Sequence, residues 1–249
     1  MKSNIPAYLL LSVILGVSQV GQAGEFWQEK DYRQWSKQEC QKMLENSPWA
    51  KAYTLSGVYI VPVGEVSPAP ERITNPWIRY LVQFHSALPI RQALVQWSQL
   101  ESGYAEMNPE QKKEFDARAE RYLAASFPDV VILNVTFSSN AQEWLRILDN
   151  YWRRQTTETL RNFVFLIAHG GEKIPLLRYV PPPGGSSELQ LVFPRHHQGQ
   201  PILLPEDKAV KLELPPPPIQ PGQTEYVFPM HVLVEFKVKK MLIDGRLVY

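Results

Sequence analysis

The stretch Trp77–His85, WIRYLVQFH, decides the fold class because it carries the period of a β-strand. Its large apolar side chains fall on every second residue: Ile78, Tyr80, Val82 and Phe84. Successive side chains of a strand point to opposite faces, so the alternation places these four on one face. The stretch therefore predicts a strand with one face in a core.

Three helices are predicted on the C-terminal side of this strand. Pro89 begins the first, whose apolar residues recur at the helical period: Ile90, Ala93, Leu94 and Trp97. Asn108 caps the second, whose apolar side consists of Phe115, Ala119, Tyr122 and Leu123. A strand at Val130–Phe137 precedes the third, which is capped by Asn140 and Glu143 and runs to about Arg154. Its inward face is predicted to hold Trp144, Leu145, Leu148, Tyr151 and Trp152.

The composition changes from Asn162 onward, where short β-rich segments alternate with proline and glycine turns. Five strands are predicted there: Phe163–Ala168, Ile174–Val180, Leu189–Phe193, Ala209–Leu214 and His231–Val238. Pro181–Pro183 and Pro215–Pro218 are extended connectors, and Asp244-Gly245 turns a last short hairpin. Nearer the N-terminus, Leu55–Val63 is predicted as a buried strand and Gly64–Pro76 as a loop.

This order of elements predicts an α+β fold, because helices and strands are more segregated than alternating. We expect an antiparallel, sandwich-like β-sheet with about three inserted α-helices and a short N-terminal docking helix. Residues 24–249 are expected to form one domain, helix-rich to about residue 160 and β-rich over 161–249.

The docking helix is predicted over residues 36–46. Ser36 is its N-cap and Glu39 completes a capping box, while Pro48 ends it near Asn46. Because a helix of this length is not stable alone, it must dock on the rest of the protein. Three tryptophans are its expected anchors: Trp27, Trp35 and Trp49. Its apolar side consists of Cys40, Met43 and Leu44. Cys40, the chain's one cysteine, is predicted to be reduced and buried beneath Trp35.

The first 23 residues have the pattern of a secretory signal. Lys2 is followed by the mostly apolar run Ala7–Val17, and Gly21-Gln22-Ala23 supplies small residues at a cleavage site. Cleavage between Ala23 and Gly24 is predicted, which places the protein in the periplasm or outside the cell. An uncleaved N-terminal anchor is the alternative. After removal of the signal, the mature chain is expected to carry no membrane span.

Removal of Lys2 with the signal lowers the formal charge from +1 to zero. A neutral chain lacks the electrostatic footprint of a nucleic-acid-binding protein. We therefore expect no nucleic acid among its partners, and a protein or another component of the cell envelope instead.

His169-Gly170-Gly171 resembles, in sequence, the oxyanion-hole segment of α/β-hydrolases. That function requires a G-x-S-x-G nucleophile elbow, which the sequence lacks. Gly170-Gly171 is therefore predicted to be a two-residue hairpin turn between Val164–His169 and Glu172–Tyr179.

His196-His197, followed by Glu206-Asp207, is the one cluster of metal-ligand residue types. Adjacent residues of a strand point to opposite faces, so these histidines would not share an ion there. A solvated loop is the prediction, and no metal or cofactor is expected. Asn134-Val135-Thr136 has the form of a glycosylation acceptor, but it lies inside a predicted strand.

The block Trp35–Ala50, W-S-x-x-E-x-x-x-x-L-x-N-S-P-W-A, resembles a segment of uncharacterised exported proteins of environmental bacteria. The stretches Phe193–Arg195, Pro205–Lys208 and Phe236–Leu247 are similar to the same set. Some of these relatives are grouped with GWxTD-domain proteins, whose motif is absent here. The resemblance implies no activity and no site residues.

Three functions follow from these patterns. The preferred one is a non-enzymatic structural or interaction module, because catalytic motifs are missing. The second is a hydrolase with a site near His169 or His196-His197. The third is a carbohydrate-binding module, suggested by seven tryptophans in a β-rich exported chain.

Overall fold

The computed structural model describes residues 25–56, 58–59, 76–219, 226–227 and 232–249. In these ranges the helices are α1 (Phe26–Glu29), α2 (Lys37–Glu45), α3 (Leu88–Glu101), α4 (Pro109–Ala124), α5 (Gln142–Arg154) and α6 (Thr157–Leu160). The strands are β1 (Ala50–Ser56), β2 (Val58–Tyr59), β3 (Trp77–Phe84), β4 (Val130–Ser139), β5 (Phe165–Ile167), β6 (Lys173–Pro175), β7 (Arg178–Val180), β8 (Glu188–Pro194), β9 (His196–His197), β10 (Gln200–Pro201), β11 (Val210–Leu214), β12 (Tyr226–Val227), β13 (Val232–Phe236), β14 (Leu242–Ile243) and β15 (Arg246–Leu247).

Two antiparallel sheets form the body of the protein. The large sheet has the strand order β1-β3-β4-β8-β7, and the small sheet has the order β13-β11-β5-β6. In the large sheet, Tyr80 of β3 pairs with Tyr53 of β1 and Phe137 of β4. The sheets approach each other where β1 lies beside β13 and where β6 lies beside β8. The predicted α+β fold with a sandwich-like antiparallel arrangement is confirmed.

The core lies between the facing surfaces of the two sheets. The alternation of WIRYLVQFH is confirmed, because its four large apolar side chains are fully buried. Phe84 of the large sheet meets Phe236 of the small sheet edge-to-face, with ring centroids 4.9 Å apart. Aromatic pairs in this geometry add about 0.5–1.5 kcal/mol beyond their buried area. This pair joins the two layers.

Helices cover both surfaces of the large sheet. On its outer face, Gln83 of β3 donates from Nε2 to the Leu44 carbonyl of α2 at 2.7 Å. On its inner face, Trp152 of α5 packs edge-to-face on Tyr80 at 6.4 Å and accepts a hydrogen bond from Tyr179 Oη at its carbonyl. The inner face is thus shared by the small sheet and α5.

The docking helix forms as predicted. Ser36 Oγ accepts the Glu39 N–H, and Glu39 Oε2 accepts the Ser36 N–H at 2.8 Å, which completes the capping box. Its three tryptophan anchors are all buried: Trp27, Trp35 and Trp49. Trp49 Nε1 also donates to the Val248 carbonyl at 2.5 Å, so the helix is tied to the C-terminal end of the fold.

Two predictions about element ends are wrong. Asn140 does not cap α5: its Oδ1 accepts the Trp77 N–H instead, and the N-cap residue Ala141 has no capping side chain. The predicted strand Ile174–Val180 is divided between β6 in the small sheet and β7 in the large sheet. The chain changes sheets at Leu176-Leu177, which periodicity does not reveal because both parts are short.

The strand predicted at Leu55–Val63 begins earlier, since β1 starts at Ala50. Residues 60–63, the loop over 64–75 and the segment 1–24 lie outside the described residues, as does His231 at the start of the last predicted strand. The Asp244-Gly245 hairpin is confirmed: both residues have positive φ, 49° and 72°, between β14 and β15. Two consecutive positive φ angles are what a type I′ turn requires.

Cys40 provides a test of the docking of α2. It is fully buried, and burial raises the pKa of its thiol to about 11, so it is protonated at neutral pH. We expect negligible maleimide labelling of the folded protein and complete labelling in urea. Cys40→Ser should lower the free energy of unfolding by about 1–3 kcal/mol if the hydroxyl finds no partner, and Cys40→Ala by less. Rapid labelling of the folded protein would show that α2 presents its cysteine to solvent.

Candidate functional site

Helix α4 is loosely packed on the body. It spans 16 residues, yet none of its side chains is buried. Its apolar residues are half-exposed on the side that faces α3: Phe115, Ala119, Tyr122 and Leu123. A capping box of Asn108 and Gln111 sets its start, with Pro109 at the first helical position. The sequence therefore specifies the helix well, while its tertiary contacts leave much of its apolar side uncovered.

A cleft of about 390 Å³ lies between α3 and α4. Apolar side chains dominate its lining: Leu94, Val95, Met107, Phe115 and Ala119. Four polar residues complete it: Ser98, Ser102, Arg118 and Tyr122. This size and this mixture, an apolar surface with a few polar groups, are those of small-molecule sites, which usually measure about 300–1,000 Å³. We call it the interhelical cleft.

Arg118 supplies an unpaired positive charge at the interhelical cleft. Its side chain is exposed, and no carboxylate of the described residues lies within ion-pair distance of it. The neighbouring Asp116 lines an adjoining depression that shares Val95, Phe115 and Ala119 with the cleft, and it accepts the hydroxyl hydrogen of Tyr104. An unpaired guanidinium beside two serines suits an anionic or hydroxyl-bearing end of a ligand.

The C-terminal end of α4 is held by a buried arginine. Arg91 of α3 places Nη1 within 2.8–2.9 Å of the carbonyl oxygens of Tyr122, Leu123 and Ala125. The last carbonyls of a helix have no partner within the helix and carry partial negative charge. A guanidinium at this position supplies both hydrogen-bond donors and a compensating positive charge. The Phe127 ring lies 5.2 Å from its guanidinium carbon. Arg91 therefore sets the position of Tyr122 in the cleft.

Beneath the cleft, Tyr122 joins a partly buried polar network on the outer face of the large sheet. Tyr122 Oη lies 2.7 Å from His85 Nε2, and His85 Nδ1 lies 2.9 Å from Asn134 Nδ2. Asn134 also donates from Nδ2 to Glu188 Oε1 at 2.8 Å. Because Asn134 donates to Nδ1, the neutral ring carries its hydrogen on Nε2 and donates it to the phenol. The network thus runs from the cleft through β4 to β8.

Burial shifts the pKa values of three groups in this network. Desolvation lowers the pKa of His85, and the nearby Arg91 charge lowers it further. Desolvation also raises the pKa of the Glu188 carboxyl and raises that of Tyr122 to about 12. All three shifts favour the neutral form of the group, so burial disfavours charge in this network, which we call the polar floor.

Sequence reasoning missed this floor. In the sequence, Asn134 has the form of a glycosylation acceptor inside a strand. In the structure it is buried, and its amide nitrogen donates to two partners. The sequence places Tyr122 on an apolar helix side and His85 at the end of a strand. The available signal was a single amide in the apolar run VVILNVTF, because a buried amide needs partners.

The structure brings His169, a residue of the predicted hydrolase site, to Asp207, a residue of the metal-ligand cluster in the sequence. His169 Nδ1 lies 2.6 Å from Asp207 Oδ1. Asp207 is buried, and its Oδ2 accepts the Leu204 N–H at 2.7 Å, whereas the His169 side chain is 69% exposed. The carboxylate fixes the hydrogen on Nδ1 and leaves Nε2 as the acceptor.

The His169–Asp207 pair borders an open cleft of about 750 Å³ on the outer side of the small sheet. Among the described residues that line it there is no serine, threonine or cysteine. The predicted two-residue turn is longer than expected: Ala168 donates to the Glu172 carbonyl, and His169–Gly171 forms a 3-10 turn between β5 and β6. Both glycines have positive φ, which the tight turn requires.

The structure does not bring His196-His197 and Glu206-Asp207 together in a metal site. His196 and His197 lie in the short hairpin β9–β10, not in a loop, and His197 Nε2 is 3.5 Å from Glu172 Oε1. Glu206 is exposed beside the buried Asp207. Over the described part of the chain, no three histidine, cysteine or acidic side chains are placed to hold a metal ion.

Five tryptophans are buried: Trp27, Trp35, Trp49, Trp144 and Trp152. Trp77 and Trp97 are half-buried, and the Lys37 ammonium lies 5.2 Å from the Trp97 ring. The tryptophans thus serve mainly as packing residues, and carbohydrate binding stays a prediction without an observation that favours it.

Comparison with protein-family models, with curated proteins and with solved structures yielded no match to this chain. The described helices are all too short or too polar to cross a membrane. Function must therefore be argued from the two clefts and their chemistry.

The polar floor predicts a pH dependence of stability. Because the pKa of His85 is lowered in the folded state, the unfolded chain binds the proton more readily below the ordinary histidine pKa of 6.5. The native protein should therefore lose stability as the pH falls from about 7.5 to 5.5. His85→Gln, which cannot titrate, should show a smaller loss in urea unfolding over the same range.

The raised pKa of Glu188 acts in the opposite direction at lower pH, since protonation then favours the folded state. Glu188 and the four other histidines are present in both proteins, so the difference between native and variant isolates His85. Equal pH dependence in the two proteins would contradict the buried neutral assignment of His85.

Proposed function

We propose that this protein is an exported, non-enzymatic binding module whose ligand occupies the interhelical cleft. The observation that supports it is α4, a full-length amphipathic helix with no buried side chain, held open against α3 over a small-molecule-sized cleft. Export rests on the signal pattern before the cleavage point between Ala23 and Gly24. The partner is accordingly a component of the cell envelope or its surroundings.

The chemistry of the interhelical cleft favours an amphipathic acid as the ligand. Val95 and Phe115 belong to an apolar wall that suits a short hydrocarbon chain. Ser98, Ser102 and Arg118 supply hydroxyl and guanidinium donors for a carboxylate end. A medium-chain fatty acid or a similar acyl compound combines both features.

The expected affinity is modest. Burial of the seven carbons in the chain of octanoic acid contributes about 5–6 kcal/mol at about 0.8 kcal/mol each. The cost of association offsets several kcal/mol of this, and an exposed ion pair to Arg118 adds about 0–1 kcal/mol. The dissociation constant should therefore lie at about 1 mM or weaker. Displacement of a fluorescent apolar probe, such as N-phenyl-1-naphthylamine, is suited to that range.

Filling the interhelical cleft should abolish binding. Ala119→Trp places an indole in the cleft, and we expect at least about tenfold weaker octanoate binding, about 1.4 kcal/mol or more. The matched control is Ala117→Trp, two residues away on the exposed side of the same helix, which should leave binding within about twofold. Equal behaviour of the two variants would place the ligand elsewhere.

Arg118→Gln tests the nature of the polar end in the same assay. The variant should bind octanoate several-fold more weakly and 1-octanol unchanged, because only the carboxylate interacts with the guanidinium charge. An unchanged preference for octanoate in this variant would contradict the assignment of Arg118.

The His169–Asp207 pair supports a second candidate, a hydrolase in which His169 activates water. A buried carboxylate that orients a histidine through Nδ1 leaves Nε2 free to accept a proton, which is the arrangement of a general base. Since no nucleophilic side chain lines that cleft among the described residues, water would be the nucleophile. This candidate lacks an identified oxyanion donor and therefore ranks below the binding module.

Hydrolysis of p-nitrophenyl acetate separates the two candidates. Under the binding-module proposal, the native protein and His169→Gln should differ little, because exposed histidines alone accelerate this ester weakly. If the second candidate is correct, His169→Gln and Asp207→Asn should each remove about 10²-fold or more of the rate. Asp207→Ala also removes the acceptor of the Leu204 N–H, so thermal melting must accompany any test of that variant.

A further inference from the structure

A separate basic pocket lies where the N-terminal helices meet the end of β13. It measures about 320 Å³, and Trp27 and Pro48 form part of its wall. Four lysines from three different parts of the chain line it: Lys42 of α2, Lys51 of β1, and Lys237 and Lys240 beyond β13. We call it the lysine pocket. It shares no lining residue with the interhelical cleft.

The lysines of this pocket are incompletely neutralised. Its two acidic residues have partners already: Glu25 lies 3.5 Å from Lys42, and Glu235 lies 3.3 Å from Lys211 outside the pocket. Lys51 donates to Asn46 Oδ1 at 3.1 Å, a neutral acceptor. With four lysines against two glutamates, the lining carries a formal charge of +2.

The charges act on one another across the pocket. Partial burial lowers the pKa of Lys51, and the nearby ammonium groups of Lys240 and Lys237 lower it further. Like charges drawn together in a concavity raise the free energy of the empty site, and a bound anion relieves that repulsion.

We propose that the lysine pocket binds a phosphate monoester. Such a group carries a charge of about −1.5 to −2 at pH 7 and three acceptor oxygens, which matches the formal charge of the lining and its ammonium donors. The pocket is larger than a bare phosphate ion needs, and the Trp27 and Pro48 side of it accommodates a small organic group. The ester is either a free small molecule or the headgroup of a lipid.

Glycerol 3-phosphate is the probe, titrated calorimetrically into the purified protein with glycerol as the control for the organic part. We expect millimolar or tighter binding of the phosphate ester and none of glycerol. The double substitution Lys51→Gln with Lys240→Gln should weaken binding about tenfold or more, equivalent to about 1.4 kcal/mol. All of these lysines reach solvent, so the variants should fold.

The control variant removes the same net charge elsewhere. Lys239 is exposed next to Lys240 but does not line the pocket, and Lys113 is exposed on α4. Lys239→Gln with Lys113→Gln should bind glycerol 3-phosphate within about twofold of the native protein. Equal weakening in both double variants would reveal a general charge effect and overturn the proposal, as would the absence of binding at about 10 mM.

Vesicles distinguish the two sources of the ester. If phosphatidic acid vesicles bind the protein and compete with glycerol 3-phosphate, the pocket binds a lipid headgroup. If only the soluble ester binds, the ligand is a free metabolite. As an independent readout, the pKa of Lys51 measured by NMR should rise when glycerol 3-phosphate is added. An unchanged Lys51 pKa on binding would place the anion elsewhere and overturn the proposal.

Discussion

The constraint on which the rest of the structure depends is the need to satisfy both faces of β3 and β4. Their inner faces meet the small sheet and α5, which the alternation of large apolar residues provides. Their outer faces carry amide side chains, Gln83 and Asn134, that helices cover. A buried amide without partners costs about 1–3 kcal/mol, so each requires specific polar partners. Gln83 obtains the Leu44 carbonyl, and Asn134 obtains His85 and Glu188.

That requirement accounts for the loose packing of α4. The helix reaches the sheet through Tyr122, whose hydroxyl must meet His85, while Arg91 holds its last carbonyls. These two polar attachments, both at the C-terminal end of α4, set the distance between the helix and the large sheet by the lengths of their hydrogen bonds. The apolar residues of its earlier turns, such as Phe115, then stand beside α3 without full burial. The interhelical cleft is thus a consequence of polar anchoring, and a fully apolar contact would have closed it.

The sequence predicted the fold class well because periodicity reports burial directly. WIRYLVQFH and the capping boxes of α2 and α4 specify local structure through neighbours a few residues away. The predictions that are wrong concern contacts between residues far apart in the sequence. The division of Ile174–Val180 between two sheets and the loss of Asn140 as a cap depend on partners far along the chain. The same is true of the candidate site: His85 and Asn134 are 49 positions apart, and no local pattern announces their contact.

The net charge of the chain does not predict the local charge of the lysine pocket or of the interhelical cleft. Coulomb interactions are screened over about 8–10 Å in physiological salt, so a ligand responds to nearby charges and not to the sum over the chain. The lysine pocket is positive because four lysines line it against two glutamates, and the rim of the interhelical cleft is positive because Arg118 has no carboxylate of the described residues within ion-pair distance. In both places the nearby carboxylates already have partners: Glu25 and Glu235 pair with lysines, and Asp116 accepts the hydroxyl hydrogen of Tyr104. Local pairing, which composition cannot express, therefore determines where this neutral protein can attract an anion.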